Sequence, residues 1–369
     1  MKEKIIVGMS GGVDSSVAAY LLKEAGYEVV GVTMRVWQWE DARRDFGADK
    51  DGVPEKGTGA PDSAAADAAR VCAEIGIPHH VVDFRKEFEK NVVEYFVREY
   101  AAGRTPNPCI ACNRHVKWES LLHRCEAVGS DCVATGHYAG VVKLENGRYA
   151  LKACAASGKD QTYALYRLTQ GQLSRTRMPL GDYSKEEVRK LARRAGLSVA
   201  DKQDSQEICF VQDNDYARFI EKYSGREFPP GNFVDRQGNV LGRHRGIIHY
   251  TVGQRRGLSL SLPEPAYVLA IRPQENEVVL GFGREIFARG AVAGQLNFMG
   301  CSHVTNGMQV TAKIRYNHAG AAARLYMRGE GELYCEFEEE QRAVTPGQAL
   351  VFYDGEYVLG GGTIVRADG

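Results

Sequence analysis

Residues 4–26 read KIIVGMSGGVDSSVAAYLLKEAG, and this stretch decides the fold of the first part of the chain. KIIVGM is a short apolar run typical of a buried strand, SGGVDSS is a glycine-rich turn, and the apolar residues of VAAYLLKEAG have helical spacing. A turn between a strand and a helix directs backbone N–H groups and the positive end of the helix dipole to one point. The stretch therefore predicts a strand, a phosphate-binding loop and a helix.

This loop differs from the two commonest nucleotide-binding patterns. GxxxxGK[ST] and GxGxxG are both missing from it, which argues against kinase-like and dinucleotide-binding proteins. The alternative is a glycine-rich turn that binds nothing. Two glycines, an aspartate and two serines stand together between residues 10 and 15, which makes that alternative the weaker one.

Predicted strands and helices alternate in the first half of the chain. Runs that read as buried strands lie at 27–37, 79–84 and 131–139, and helical periodicity is found at 63–76, 117–129 and 184–196. This alternation predicts an α/β fold, a doubly wound parallel sheet with ligands at the carboxyl ends of its strands. The polar stretch 38–62 is interpreted as a surface loop.

The pattern changes after about residue 230. Short alternating runs separated by turns, such as YVLAIRPQENEVVLG and QALVFYDGEYVLGGGTIV, predict small β-rich modules of barrel or sandwich type. We therefore predict an α/β domain at 1–210, a small linking module at 211–285 and a β-barrel-like module at 286–369.

The bulk properties exclude several classes of protein. The 369 residues include 47 basic and 47 acidic ones, so any contact with RNA would depend on local basic patches. The chain starts with a predicted strand, without a signal or transit pattern or a membrane-length apolar run, so we expect a cytoplasmic protein with no membrane partner. Nine cysteines, an odd number, favour reduced, catalytic or metal-binding thiols over a disulfide framework.

Three cysteines stand in unusual surroundings. TPNPCIACNR (105–114) puts Cys109 and Cys112 in a CxxC at the start of a predicted helix, where thiols have lowered pKa values and raised reactivity. DSQEICFV (204–211) supplies Cys209 beside two acidic residues. Taken singly, each could also be a buried and inert cysteine.

Together these segments resemble the bacterial tRNA-specific 2-thiouridylases, which belong to the pyrophosphate-loop ATP pyrophosphatases with their SGGxDS signature. The matching segments are SGGVDSS (10–16), TGHYA (135–139), GKDQTYALYRL (158–168), PLGDYSKEEVRKLARRAGL (179–197), DSQEICF (204–210) and HYTVGQRRGL (249–258). The resemblance runs from about residue 1 to the end and weakens after residue 290. It implies an adenine nucleotide alpha-hydrolase-like fold for 1–210 and an ATP-dependent tRNA-uridine 2-sulfurtransferase.

The resemblance also implies roles for individual residues. Cys112 matches the family's nucleophile, and Cys209 matches the cysteine that carries sulfur as a persulfide. ATP contacts are matched by Gly8, Met9, Ser10, Gly11, Gly12, Val13, Asp14, Ser15, Met34 and Gly136, and the segment beside the target base by Asn107, Pro108 and Cys109. Contacts to tRNA are matched by His137, Lys159, Asp160 and Gln161 and, in the terminal module, by Arg315, Tyr316 and Gln348. Asp14 would help to hold Mg²⁺ on the pyrophosphate, because hard oxygen ligands suit that ion.

The implied reaction adenylates the C2 oxygen of a wobble uridine, releases pyrophosphate and replaces the oxygen with sulfur. Cys112 could attack the Cys209 persulfide to free sulfide beside the base, or it could assist direct attack by the persulfide. Either route leaves a Cys112–Cys209 disulfide for a reductant to open. The implied partners are a tRNA with a wobble uridine and an upstream sulfur-relay protein or cysteine desulfurase that loads Cys209.

Cys109 opens a second hypothesis, because some relatives carry an acidic residue at the matching position. Cys109, Cys112 and Cys209 could hold a [4Fe–4S] cluster whose open iron binds sulfide. A structural zinc is less favoured, since no fourth Cys or His stands close in sequence.

Two rival functions stay open at this point. One is another adenylating pyrophosphatase, such as argininosuccinate synthetase, a GMP synthetase-like amidotransferase or a different tRNA sulfurtransferase. The other is a protein that binds ATP or RNA without turnover, or a carrier that uses only the persulfide. Both would leave the pairing of Cys112 with Cys209 unexplained.

Local basic segments could supply contacts to tRNA phosphates. They are NRHVKW (113–118), EEVRKLARR (186–194), GRHRG (242–246) and GQRRG (253–257). Tyr138 or Tyr163 could stack on an extruded base. For the charged segments the alternative is a solvated surface, and for Tyr163 with Tyr166 it is a position in the core.

Overall fold

The computed structural model describes residues 2–37, 63–127, 129–154, 159–203, 208–211, 214–329 and 331–368. The stretch 38–62, predicted as a surface loop, lies outside the described residues, as do residues 204–207 of the DSQEICF segment. The chain divides into two compact units. The first comprises 1–92, 109–214 and 356–358, and the second comprises 93–108, 215–355 and 359–369.

A parallel sheet forms the centre of the first unit. Its strands are β1 (Lys4–Gly8), β2 (Glu28–Arg35), β3 (His79–Asp83), β4 (Cys132–Ala134) and the two-residue strand β7 (Thr176–Arg177), in the order β3-β2-β1-β4-β7. Every neighbouring pair is parallel. The predicted α/β fold with a parallel sheet is confirmed. An antiparallel hairpin, β5 (Ala139–Lys143) and β6 (Tyr149–Ala153), belongs to the same unit.

Helices connect these strands. They are α1 (Val13–Glu24), α2 (Ser63–Ile75), α3 (Arg85–Phe88), α5 (Pro108–Ala111), α6 (Leu121–Ala127), α7 (Gln170–Ser174) and α8 (Lys185–Arg194). A five-residue π-helix, Glu89–Val93, follows α3, and a nine-residue one, Cys112–Ser120, joins α5 to α6. The second unit contains α4 (Glu94–Ala101) and α9 (Tyr216–Ser224).

Local sequence explains the central elements of the first unit. Ile5, Ile6 and Val7 of β1 are at most 1% exposed, as expected for a central strand with both faces covered. Helix α8 begins at a capping box, in which Ser184 Oγ accepts from the Glu187 N–H and the Glu187 carboxylate accepts from the Ser184 N–H. Burial accounts for β1 as a central strand, and the capping box fixes where α8 begins.

The second unit contains two β-sheets. The first has the order β10-β11-β8-β9, from β8 (Gly231–Val234), β9 (Val240–His244), β10 (Ala266–Arg272) and β11 (Glu277–Phe282). The other contains β12 (Phe287–Phe298), β13 (Met308–Lys313), β14 (Ala321–Arg328), β15 (Glu332–Arg342), β16 (Ala349–Asp354) and β17 (Tyr357–Asp368).

The larger sheet closes on itself. Its order is β12-β15-β14-β13-β16-β17, and β12 also pairs with β17, so these six strands form a barrel. The fully buried Leu325, Leu333, Phe352 and Ile364 are part of its core. The predicted β-rich modules are therefore confirmed. None of the helices within the described ranges is both long and apolar enough to cross a bilayer.

Candidate functional site

The phosphate loop lies between β1 and α1. The Ser15 hydroxyl accepts from the Ser10 N–H at 3.2 Å, and the hydroxyls of Ser15 and Ser16 donate to the Gly12 carbonyl at 3.2 and 2.7 Å. Gly11 has φ +68°, and a Cβ there would come within 2.5 Å of the Ala64 carbonyl oxygen. Glycine is therefore required at position 11 for both its conformation and its close packing.

Two of the residues predicted for the nucleotide site, Gly136 and Met34, lie beside this loop. A Cβ on Gly136 would lie 2.6 Å from Asp14 C and Ser15 N. Gly136, two residues after β4, therefore packs directly on the first turn of α1. Met34 Cε lies 3.8 Å from the position of a Cβ on Gly8. Since β1, β2 and β4 are parallel neighbours, their carboxyl ends share one edge of the sheet, where this fold binds ligands.

Asp14 is held by a partner that sequence reasoning missed. Its carboxylate accepts from Lys185 Nζ at 2.8 and 2.9 Å and from the Tyr138 hydroxyl at 2.7 Å. The Lys185 side chain is only 14% exposed, and Lys185 is the first residue of α8. Helical periodicity at 184–196 predicted that helix, but nothing in the sequence placed its first lysine on Asp14.

The prediction that Tyr138 or Tyr163 stacks on an extruded base is wrong. Tyr138 and Tyr163 are each 1% exposed, and Tyr138 directs its hydroxyl to Asp14. Neither ring presents a free face to an extruded base. Tyr166 is also 1% exposed, so Tyr163 and Tyr166 occupy core positions, which was the alternative interpretation.

Residues close in sequence to Cys112 and Cys209 hold the two cysteine segments in place through contacts with the rest of the first unit. Asn113 Nδ2 donates to the Ala164 carbonyl at 2.9 Å, and Trp118 Nε1 donates to Thr176 Oγ1 at 2.7 Å inside the first unit. Phe210 is 2% exposed and packs edge-on against Phe88 at 5.8 Å between ring centroids. Each segment is thus fixed within a residue or two of its cysteine.

Cys109, Cys112 and Cys209 lie close enough for their ionisation to be coupled. Burial and then the Cys109 thiol raise the pKa of Cys112, while Lys117 opposes the shift. Although Cys209 has an exposed surface, its thiol is surrounded by protein atoms, and this desolvation raises its pKa to about 12, with smaller contributions from Cys112 and Cys109. Here, too, Lys117 acts in the opposite direction.

The expected lowering of the thiol pKa values is therefore wrong for Cys112. Pro108–Ala111 does begin a helix at the CxxC, as predicted, but loss of water around the Cys112 thiol outweighs the helix terminus. Lys117 is the residue that favours the thiolates. It follows Cys112 by five residues in a π-helix, whose hydrogen bonds run from residue i to residue i+5.

The thiols of Cys109, Cys112 and Cys209 are not placed so that together they could bind a metal ion. No group of three or more Cys, His, Asp or Glu side chains that could hold a metal ion is found in the part of the chain that the structure describes. All nine cysteines are reduced. The cysteines thus do not fit an iron–sulfur cluster as they stand.

The residues predicted to contact tRNA in the first unit have internal partners. His137 Nδ1 is 2.8 Å from Thr135 Oγ1, and burial, assisted by Lys117, puts the pKa of His137 well below its ordinary value, so its ring is neutral. The Asp160 carboxylate accepts from the Thr162 hydroxyl at 2.7 Å. Gln161 Oε1 accepts from the Tyr138 N–H at 3.0 Å, and Lys159 is half-buried.

In the second unit, the remaining predicted residues lie on or near the barrel. Arg315 is exposed and donates to the Arg342 carbonyl at 3.0 Å, and Tyr316 is 41% exposed. Gln348 is half-buried and donates to the Thr105 carbonyl at 2.8 Å. Asn107 is half-buried and Pro108 is buried.

Comparison with known proteins identifies the family. A model described as the tRNA methyl transferase HUP domain matches residues 3–213, one described as the tRNA methyl transferase PRC-barrel domain matches 217–282, and one described as the aminomethyltransferase beta-barrel domain matches 288–364. A tRNA-specific 2-thiouridylase MnmA of Lachnoclostridium phytofermentans is 59% identical over 99% of this chain and 100% of that protein. The chain belongs to the tRNA-specific 2-thiouridylase family.

Other members of the family are similar over the same extent. The MnmA proteins of Clostridium kluyveri and Clostridioides difficile are 50% and 47% identical over 99% and 100% of this chain, and 99% of each relative is covered. A 4-thiouridine synthetase–RNA complex with bound ATP is 17% identical at a TM-score of 0.32, over 60% of this chain and 50% of that chain, which is too distant to support an inference. The predicted family and enzyme class, a tRNA sulfurtransferase, are confirmed.

Proposed function

We propose that this protein is an ATP-dependent tRNA-uridine 2-sulfurtransferase that acts on a wobble uridine. The observation that carries the proposal is the proximity of Cys112 and Cys209, which come from distant segments: Cys112 raises the pKa of Cys209, and Lys117 lowers the pKa values of both. A protein that only binds ATP or RNA has no use for two such thiols. The relatives, named tRNA-specific 2-thiouridylases, support the same substrate.

In the first step the uridine C2 oxygen attacks the α-phosphorus of ATP. The bond between that phosphorus and the bridging oxygen breaks, and pyrophosphate leaves with the electron pair. The glycine-rich loop and the N-terminus of α1 would hold the phosphates through backbone N–H groups. Asp14 offers carboxylate oxygens that already hold one cation, Lys185, and would hold Mg²⁺, which would neutralise charge on the phosphates.

In the second step sulfur replaces the activated oxygen. The terminal sulfur of a Cys209 persulfide attacks C2, either directly or after release as hydrosulfide, and AMP leaves with the C2 oxygen. Cys112 attacks Cys209 Sγ, so the persulfide S–S bond breaks and a Cys112–Cys209 disulfide forms. A thiol reductant then restores both thiols. The raised thiol pKa values mean that Cys112 must lose a proton before it attacks, and Lys117 favours that loss.

The persulfide route is favoured over an iron–sulfur route for this chain. Within the described segments the donor side chains form no group that could hold a metal ion, so we assign no step to a cluster. Cys109 then serves as a neighbour of the reacting thiols. Cys209 would be loaded by a separate sulfur-donor protein, whose chemistry would be that of a persulfide carrier or cysteine desulfurase.

The proposal is tested by thiolation of an unmodified wobble-uridine tRNA with anaerobically purified protein, ATP, Mg²⁺ and a persulfide donor, with iron measured in the same sample. We expect 2-thiouridine to form at full rate in iron-free protein. Activity that rises in proportion to bound iron would instead favour a three-cysteine cluster.

Matched cysteine variants sharpen this test. Cys112→Ala and Cys209→Ala should each abolish thiolation and keep ATP binding, whereas Cys109→Ala should keep most of the activity. Cys301→Ala removes a half-buried thiol from the second unit and serves as the control. Loss of nucleotide binding in the Cys112 or Cys209 variant would contradict the assigned roles.

A further inference from the structure

The turn between β15 and β16 holds both backbone groups of Thr105, four residues before Cys109. The Thr105 N–H donates to the Pro346 carbonyl at 2.9 Å, and Gln348 Nε2 donates to the Thr105 carbonyl at 2.8 Å. The Thr105 hydroxyl adds a long bond of 3.4 Å to Thr251 Oγ1. All of these residues belong to the second unit.

This turn is built for close approach to Thr105. Gly347 has φ +91°, and a Cβ there would lie 2.8 Å from Thr105 N and 3.0 Å from its carbonyl atoms. The Gly347 N–H donates to the Ile364 carbonyl at 2.9 Å, and the Ile364 N–H donates to the Gln348 carbonyl at 2.8 Å. Ile364 is fully buried in the barrel, so the turn is fixed to the barrel wall.

The chain after Thr105 is stiff. Pro106 and Pro108 are both buried, and each fixes its own φ and restricts the residue before it. Before Thr105, Arg104 donates to both carboxylate oxygens of Glu99 at 2.6 and 2.9 Å. A shift of the Thr105 backbone would therefore be passed on to Asn107 and Pro108 with little loss.

We infer that Gln348 is a positioning residue, which sets the Asn107–Pro108 segment through Thr105, and that contact with tRNA is not its main role. This inference rests on the proposed function, in which Asn107 and Pro108 lie beside the target base. One N–H of the Gln348 side-chain amide donates to the Thr105 carbonyl and so ties the barrel turn to this segment. Gln348 thus acts through Thr105 on the segment that the proposed function places beside the reacting base.

The test replaces Gln348 with methionine, which has similar length and no N–H donor. Gln341→Met is the matched control, because that glutamine lies on the same barrel and bonds the His318 ring. We expect Gln348→Met to lower kcat for thiolation about tenfold, since small misplacements of reacting groups are costly. KM for tRNA and Kd for ATP should each change less than twofold, and both should be unchanged in Gln341→Met.

Hydrogen–deuterium exchange provides a readout that does not depend on activity. The Thr105 amide should exchange several-fold faster in Gln348→Met than in the natural protein or in Gln341→Met. A raised KM for tRNA with unchanged kcat would overturn the inference in favour of a direct tRNA contact, as would unchanged exchange at Thr105. If the natural protein itself failed to thiolate tRNA, the proposed function would fail, and the exchange experiment would still decide whether Gln348 holds Thr105.

Discussion

Lys117 acts on three groups of the candidate site. Burial is the main cause of the raised pKa of Cys112 and of Cys209, and Lys117 moves both pKa values back toward neutrality. Burial is also the main cause of the lowered pKa of His137, and the same lysine lowers it further. The site therefore combines Lys117 with a neutral histidine and with Cys112 and Cys209 thiols that are protonated at neutral pH.

The raised pKa of Cys209 predicts how its reactivity depends on pH. Only the thiolate reacts with iodoacetamide, and a pKa of about 12 means that the thiolate fraction rises roughly tenfold per pH unit from pH 7 to pH 11. We expect the alkylation rate, measured by peptide mass spectrometry, to keep rising through pH 10. The same cysteine in denatured protein should level off above about pH 9, near the ordinary thiol pKa. A plateau near pH 9 in the folded protein would contradict the shift.

At the scale of elements, the phosphate loop depends on close packing between separate segments. Gly136, after β4, contacts the backbone of the first turn of α1, and Gly11 contacts the backbone of α2. α8 contributes Lys185 to the same loop. The loop therefore takes its shape from three neighbouring elements as well as from its own sequence.

A methyl group at position 136 should disturb this packing. In Gly136→Ala the new Cβ would have to displace backbone atoms of Asp14 and Ser15 that lie 2.6 Å away. We expect ATP affinity, measured by isothermal titration calorimetry, to fall by at least tenfold. Gly171→Ala in α7 is the control, because nothing lies within 4 Å of its Cβ position. Equal ATP affinity in the two variants would count against this account of the loop.

Lys185 should matter to nucleotide binding through its charge. Lys185→Met leaves the Asp14 carboxylate without its ammonium partner at the point where phosphate anions would bind, so repulsion should raise Kd for ATP by about tenfold. Lys190→Met changes an exposed lysine of the same helix and should leave Kd unchanged. If both variants bound ATP equally well, the Asp14–Lys185 pair would have no part in binding.

The elements that could be predicted from the sequence are those with a local signal. KIIVG and VDSSVAAYLLKE form β1 and α1, and the helical periodicity at 184–196 predicted α8. Partners distant in sequence, such as Lys185 on Asp14 or Gln348 on Thr105, were missed because one sequence carries no record of long-range contacts. The π-helix Cys112–Ser120 was also missed, because its residues have ordinary helical periodicity.

At the scale of the whole molecule, the residues predicted for catalysis and for tRNA contact are divided between the two units. The first unit carries the phosphate loop with Cys109, Cys112 and Cys209, and the second unit carries Arg315, Tyr316, Gln348 and the Asn107–Pro108 segment. The family models cover both units along the chain. We therefore expect the complete chain to be the active form.

In the proposed reaction, sulfur transfer consumes the Cys209 persulfide and leaves a Cys112–Cys209 disulfide. The most direct measurement is a single turnover of persulfide-loaded protein with tRNA and ATP, quenched with N-ethylmaleimide and mapped as non-reduced peptides. We predict one Cys112–Cys209 disulfide for each 2-thiouridine formed, and neither product without ATP. Formation of 2-thiouridine while Cys112 is recovered fully alkylated would contradict the account.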